Sequence, residues 1–144
     1  MESNDLAAAI RTLGEELAAE GGGDPVLRVE VQGEPRSLHP ILRDETFRIV
    51  GEALRNAYSH AEAKQIEVEL RYDAGYLRLR VGDDGKGIDP AVLSEGGREG
   101  HFGMRGMRER ATLIGGKLTV WSAPGSGTEV ELSVPASHAY TASP

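Results

Sequence analysis

Apolar residues recur at helical spacing between Asp5 and Glu20, where Leu6, Ala9, Ile10, Leu13 and Leu17 share one face. Asn4 or Asp5 is placed to cap this predicted helix, and Gly21-Gly22-Gly23 to stop it. From Val26 to Val31 the chain alternates Val, Arg and Glu, the period of a short strand. A longer helical pattern runs from about Pro40 to Ala61, with a predicted core stripe of Ile41, Thr46/Phe47, Val50, Ala53/Leu54, Ala57 and Ala61. Two strands follow. Ile66, Val68 and Leu70 alternate with glutamates, Leu77, Leu79 and Val81 alternate with arginines, and Asp73 to Tyr76 forms the turn between them. Their acidic and basic outer positions should pair across the ladder on a solvated face.

The stretch from Gly82 to His101 reads as loop, with one short helical turn after Pro90. A helix is expected from about Gly103 to Leu113, ending at Gly115-Gly116, and strands at Lys117 to Ser122 and Thr128 to Val134. Residues 136–144 are small and polar and are expected to form a flexible tail, leaving residues 1–135 as a single domain. Strands joined by short turns favour an antiparallel or mixed sheet with helices on one face, whereas a doubly wound fold needs regular strand–helix alternation. The predicted class is α+β, a two-layer α/β sandwich.

Composition narrows the function. The 144 residues contain no cysteine, which excludes disulfides, thiolate nucleophiles and cysteine-ligated zinc. A net charge of −7 argues against coating nucleic acid. No apolar run approaches the ~20 residues of a membrane span, and the acidic N-terminus is no secretory signal. These features predict a soluble domain from a reducing compartment, or a piece of a larger protein. The four histidines lack H-x-x-x-H spacing. Nineteen glycines are nearly twice the usual share, and many cluster at element ends, where chain must turn or approach a ligand closely.

Three places could carry chemistry. Glu52, Asn56 and His60 lie at i, i+4 and i+8 and form one polar stripe on the long helix. An exposed face is the simpler reading of that spacing alone. Yet mid-helix Asn competes for backbone hydrogen bonds, and its carbonyl is a hard oxygen suited to Mg²⁺. Asp83-Asp84-Gly85-Lys86-Gly87 follows a strand. An aspartate there can accept from an exocyclic amine while the glycines let a flat ring lie against backbone, although such D-x-G-x-G patterns are common. Gly100 to Gly106 opens a helix whose unpaired N–H groups suit phosphate, and Arg105, Arg108 and Arg110 add positive charge nearby. Surface pairing, with Glu109 or Glu131 as partner, explains Arg108 or Arg110 equally well.

In this order, Glu52-x-x-x-Asn56, Asp83 to Gly87, Gly100 to Gly106 and Gly127-Thr128 resemble the N, G1, G2 and G3 boxes of an ATP-binding superfamily. DNA gyrase, heat-shock chaperones, histidine kinases and mismatch-repair proteins share it. The segments EALRNAYSHA and GMRGMRERATLIGGKLTVWSAPGSGTEVELSVP are similar to the catalytic domain of sensor histidine kinases, in the subgroup related to nitrate and fluidity sensors. The resemblance spans about residues 5–135 and implies a Bergerat-type fold that binds ATP and Mg²⁺. It implies that Asn56 ligates Mg²⁺ and that Glu52 orients a metal-bound water or serves as base. Asp83 would accept from the adenine amino group with Thr128 assisting through a water, and Gly85 and Gly87 would make room for the ring. Gly103 and Gly106, with a lid from about Leu93 to Phe102, would wrap the triphosphate, and His60 and Arg105 would add to the nucleotide site.

Two departures stand out. Many histidine kinases carry Lys or Arg three residues after the Asn, where this chain has Ser59; Arg55 and Arg105 are the cations that could compensate. Within these residues no phosphoacceptor helix is expected ahead of the domain, since His39 sits beside Pro40 and the first predicted helix has no histidine. The resemblance therefore implies γ-phosphoryl transfer to a histidine on a separate dimerisation domain, and onward to a response regulator. The isolated domain would be a monomer, with no contact to nucleic acid or membrane, in the cytoplasm of a cell whose inner membrane anchors the parent protein. A nucleotide sensor without transfer and a serine kinase of the anti-sigma-factor type are the alternatives.

Overall fold

The strand alternation read from the sequence becomes one five-stranded sheet, covered on one side. The computed structural model describes residues 5–21, 25–89 and 103–141. The strands are β1 (Val26–Gln32), β2 (Gln65–Tyr72), β3 (Tyr76–Asp83), β4 (Lys117–Ser122) and β5 (Thr128–Pro135), arranged in the order β1-β2-β3-β5-β4. Only β1 and β2 are parallel; every other pairing is antiparallel. The helices are α1 (Leu6–Gly21), α2 (Pro40–Ser59), α3 (Met104–Leu113) and the short α4 (Ala136–Ala139).

Register decides which face is covered. Val68 stands opposite Val81 and Leu70 opposite Leu79, while β5 sets Val130 against Val81 and Leu132 against Leu79. Side chains directly opposite share a face, so these residues form one apolar surface. The buried stripes of α1 and α2, with Met104, Met107 and Ala111 of α3, pack onto it. The other face carries the charges. Arg80 binds Glu69 at 3.0 Å and Glu129 at 2.7 Å, and lies 3.5 Å from Glu67. Hydrogen bonding to Arg80 holds the Glu69 carboxyl below its ordinary range despite partial burial. The two-layer sandwich and the cross-ladder pairing are thus as the sequence indicates.

Local chemistry fixes the element ends. Asp5 caps α1, its Oδ1 accepting from the Ala8 N–H at 3.0 Å, and the other candidate, Asn4, lies outside the described residues. Pro40 opens α2 at a position where its missing N–H costs nothing. The helix ends at Ser59, two residues short of the expected Ala61, and Glu62 takes a left-handed φ of 54° beyond it. The expected helical turn after Pro90 and the lid at 93–102 lie outside the described residues.

Three expectations need correction. Ile41 is 74% exposed, while Leu42, at 3%, faces the core. The stripe that begins at Leu42 continues through Thr46, Ile49, Ala53 and Ala57, and Ile41 lies 100° off its line. Second, Arg110 pairs with neither Glu109 nor Glu131 but with Glu45 of α2 at 2.8 Å, joining the two helices. Third, the segment after Pro135 is docked through Thr141 rather than flexible. Ala139 and Tyr140 are buried, and Leu38 bridges to Tyr140. The Tyr140 hydroxyl accepts from the Asp73 N–H at 3.0 Å and reaches the carbonyls of Asp73 and Tyr76 at 2.8 and 2.9 Å. Arg36 lies 4.0 Å above its ring. One aromatic with four polar partners outweighs the fraying expected of a small-residue composition.

Candidate nucleotide site

A cavity of about 290 Å³ opens between the C-terminal half of α2, the ends of β3 and β5, and the start of α3. This is close to the lower end of small-molecule sites, about 300–1,000 Å³. Asn56 and His60 of α2 line it, as do Asp83, Gly87 and Thr128. Five residues singled out in the sequence, from three separate segments, therefore meet in one space. Sequence reasoning missed the rest of the wall. Val81, Ile88, Met104 and Val130 supply apolar surface, and Lys86 a charge at the rim, 3.7 Å from Glu62. Alternation marked Val81 and Val130 only as core, and nothing in the local sequence distinguishes a core residue that borders a cavity.

The two adjacent aspartates have different roles. Asp83, at the end of β3, is half-buried at the cavity wall. Burial raises its carboxyl pKa above the ordinary value, hydrogen bonds from the Gly85 and Thr128 backbone N–H groups oppose this, and Asp84 adds to the rise. The Gly85 bond is 2.8 Å long. Asp84 points away and accepts the N–H groups of Lys64 and Gln65 at 2.8 and 3.0 Å, tying the β3 end to the start of β2. Those two bonds hold its carboxyl below the ordinary range. The cavity aspartate is held at a cost, and its neighbour stabilises the turn.

The glycines also divide. A Cβ on Gly85 would lie 2.2 Å from the Ala61 carbonyl, and one on Gly87, at φ +79°, 2.1 Å from the Ala123 carbonyl. Both are required by backbone packed on backbone. Making room for a ring, as expected of them, is not what demands glycine at either place, although Gly87 does border the cavity. The Lys86 N–H donates to the Ala61 carbonyl at 2.7 Å, and the Gly125 N–H to the Lys86 carbonyl at 2.7 Å. The loop from Asp83 to Ile88 is thus clamped between the end of α2 and the β4–β5 hairpin.

Glu52 lies one helical turn from Asn56 and lines an adjoining groove with Arg48, Arg55, Gly103 and Gly106. A Cβ on Gly103 would lie 2.6 Å from Glu52 Oε2, so the entry to α3 rests on this carboxylate. Gly103 also has φ +65°, a second reason for glycine. Among the described residues nothing lies within 4 Å of a Cβ built on Gly106, and it has no positive φ, so the described part of the fold does not require glycine there. Arg55 faces this groove, 3.9 Å from Glu52. Arg105 is brought to neither recess, because it is exposed and turned along α3 to Glu109 at 3.3 Å.

The donor set suits a magnesium nucleotide. Asn56 offers a neutral oxygen donor at the cavity wall, with the Glu52 carboxylate in the next groove. No cluster of three or more His, Asp or Glu that could hold an ion by itself exists among the described residues. Mg²⁺ is commonly held in this way, by one or two side chains together with substrate phosphates.

Comparison with known proteins agrees with this geometry. Residues 42–138 match the family described as histidine kinase-, DNA gyrase B-, and HSP90-like ATPase. The sensor protein VraS of Staphylococcus haemolyticus is 32% identical over 94% of the chain, and the sensor histidine kinase LiaS of Bacillus subtilis 39% over 65%. The chain spans 40% and 25% of the length of these two relatives. Among solved structures, the histidine kinase domain of the Erythrobacter litoralis EL346 blue-light activated histidine kinase superposes with a TM-score of 0.71 at 28% identity. That match covers 92% of this chain and 61% of the other. With a cavity walled by its Asn, Asp-Gly and Gly-Thr segments and a family match over most of its length, the chain belongs to the histidine kinase-, DNA gyrase B- and HSP90-like ATPases, as a domain of the sensor histidine kinase kind.

Proposed function

We propose that this domain binds Mg²⁺-ATP in the α2–β3–β5 cavity and transfers the γ-phosphoryl group to a histidine on a separate dimerisation domain. A response regulator would then receive it. The observation that carries the proposal is Asp83. It is an acceptor group held partly out of water, beside the apolar surface of Val81, Ile88, Met104 and Val130, with two backbone N–H groups supporting it and oxygen lone pairs to spare. Such a group suits the exocyclic amine of adenine, with Thr128 beside it.

Phosphoryl transfer asks a protein mainly for positioning and electrostatic stabilisation. Asn56 would hold Mg²⁺ together with the phosphates, and Glu52 would orient a metal-bound water or act as base. When bound, the metal would neutralise charge on the transferred group. Gly103 and Gly106 would bring the N–H groups at the start of α3 to the phosphates. No helix among the described residues is long and apolar enough to cross a membrane. In this reading the domain works as a monomer in the cytoplasm, and the parent protein carries the membrane anchor.

The test is transfer in trans. With labelled ATP and the parent's dimerisation helices, the domain should yield an acid-labile, base-stable phosphohistidine. An acid-stable product would indicate a serine kinase instead. Ser59, exposed on the last turn of α2, supports a second reading, because among the described cavity-lining residues Lys86 is the only permanent cation. Nucleotide binding without any transfer would favour that reading, a sensor whose closure regulates a partner.

A further inference from the structure

Asp83, Thr128 and Ser122 stand side by side on three neighbouring strands. Asp83 is the register partner of Thr128, and Thr128 that of Ser122. Ser122 is 9% exposed and does not border the cavity. Its hydroxyl nevertheless makes three contacts: with the Ile88 N–H at 2.7 Å, the Gly127 carbonyl at 2.9 Å and the Thr128 hydroxyl at 2.8 Å.

Counting protons settles the direction of each bond. A hydroxyl has one proton and two lone pairs. The Ile88 N–H can only donate and the Gly127 carbonyl can only accept. The single Ser122 proton is therefore directed to Gly127, and one lone pair is taken by Ile88. The remaining lone pair must accept from Thr128. The Thr128 proton is thereby committed away from the cavity.

We propose that Ser122 sets the base selectivity of the site: by taking the Thr128 proton it leaves Thr128 presenting only lone pairs to the cavity, beside the Asp83 carboxylate. The Asp83–Thr128 edge of the wall then presents acceptors alone and selects a base edge that donates, the 6-amino group of adenine, over a 6-oxo group that only accepts. A water held between wall and base relays the same preference, since both its protons go to Asp83 and Thr128 and it turns lone pairs to the base. Ser122 is a positioning residue here, acting through Thr128. This inference rests on the nucleotide reading above.

The experiment measures the affinities of ADP and IDP, its 6-oxo analogue, for the wild-type chain, Ser122→Ala and Ser122→Thr. The wild type should prefer ADP by at least about ten-fold. Ser122→Ala frees the Thr128 proton to meet a carbonyl, so the preference should shrink by roughly five-fold, the worth of one hydrogen bond. Ser122→Thr, which keeps the hydroxyl, should retain it. Ser122→Cys, similar in volume but a weak acceptor, carries the prediction of the alanine variant if that protein does not fold. A purely structural serine would weaken both nucleotides equally, and an unchanged ratio in a folded Ser122→Ala or Ser122→Cys protein overturns the inference while leaving the nucleotide site standing. A wild-type chain that binds neither nucleotide overturns both.

Discussion

Replacing the two adjacent aspartates one at a time should move stability in opposite directions. Asp84→Ala removes a carboxylate that accepts two backbone N–H groups at 2.8 and 3.0 Å. The site is exposed, so those donors return to water, and the loss resembles that of an exposed helix cap, about 1 kcal/mol. For a domain of this size that is a fall in Tm of about 3–5 °C. Asp83→Asn keeps an oxygen to accept the Gly85 N–H and removes a charge that burial disfavours, so at pH 7 its Tm should equal or exceed that of the wild type. The pH dependence follows from the directions of the two shifts. Asp83 titrates above the ordinary value of 3.8 in the folded state. The folded form therefore holds the extra proton, and stability falls as pH rises from that value through the folded pKa. The benefit of Asp83→Asn is complete at neutrality and vanishes below about pH 4. Asp84 titrates below 3.8, so its contribution is present above that value and is lost as pH falls through the folded pKa. Nucleotide-free melts at pH 7 and pH 4, followed by circular dichroism, test both arms. A Tm for Asp83→Asn at pH 7 as low as that of Asp84→Ala would refute the assignment of roles.

Three further outcomes follow from the same structure. Gly125 and Gly127 share φ near +80°, yet a Cβ on Gly125 meets nothing within 4 Å while one on Gly127 would lie 2.0 Å from the Asp83 carbonyl. Gly125→Ala should cost about 1–2 kcal/mol and Gly127→Ala more than about 3, as read from urea midpoints. Gly106→Ala should stabilise α3 by up to ~1 kcal/mol, because no described residue meets a Cβ there, while weakening triphosphate binding; unchanged affinity would remove Gly106 from the site. Tyr140→Phe should lower stability by about 1–2 kcal/mol, since its hydroxyl ties the docked C-terminal segment to the β2–β3 turn, and a neutral result would return that segment to a loose tail.

Much of this was legible in the residues, and the gaps have physical causes. Alternation in β2, β3 and β5 gives the buried face directly, because a one-residue slip would expose Val68, Leu79 and Leu132 together. The phase of α2 is harder to read at its first turn, where Ile41 and Leu42 are adjacent and only contact with the rest of the core decides between them. The pairing of β1 with β2 is non-local and carries no turn signature, so its parallel direction appears only in the fold. In the site, Asp83 and Thr128 stand out through their glycine neighbours. Ser122 does not, because a polar residue at a strand end reads as surface. Its signal is the register of the β4–β5 hairpin, which sets it opposite Thr128. Gly85 and Gly87 stand out in the sequence as glycines, but the backbone of Ala61 and Ala123 that excludes a side chain at them comes from distant segments and is visible only in the fold.

The central claim is that the cavity beside Asp83 takes a magnesium nucleotide. Calorimetric titration of ADP and a non-hydrolysable ATP analogue, with and without Mg²⁺, tests it most directly, with Asp83→Asn and Asn56→Ala as controls. The account predicts binding to the wild type, lost in Asp83→Asn while that protein stays folded, and a Mg²⁺ dependence that Asn56→Ala removes. No binding at millimolar nucleotide, or equal binding by wild type and Asp83→Asn, would contradict it.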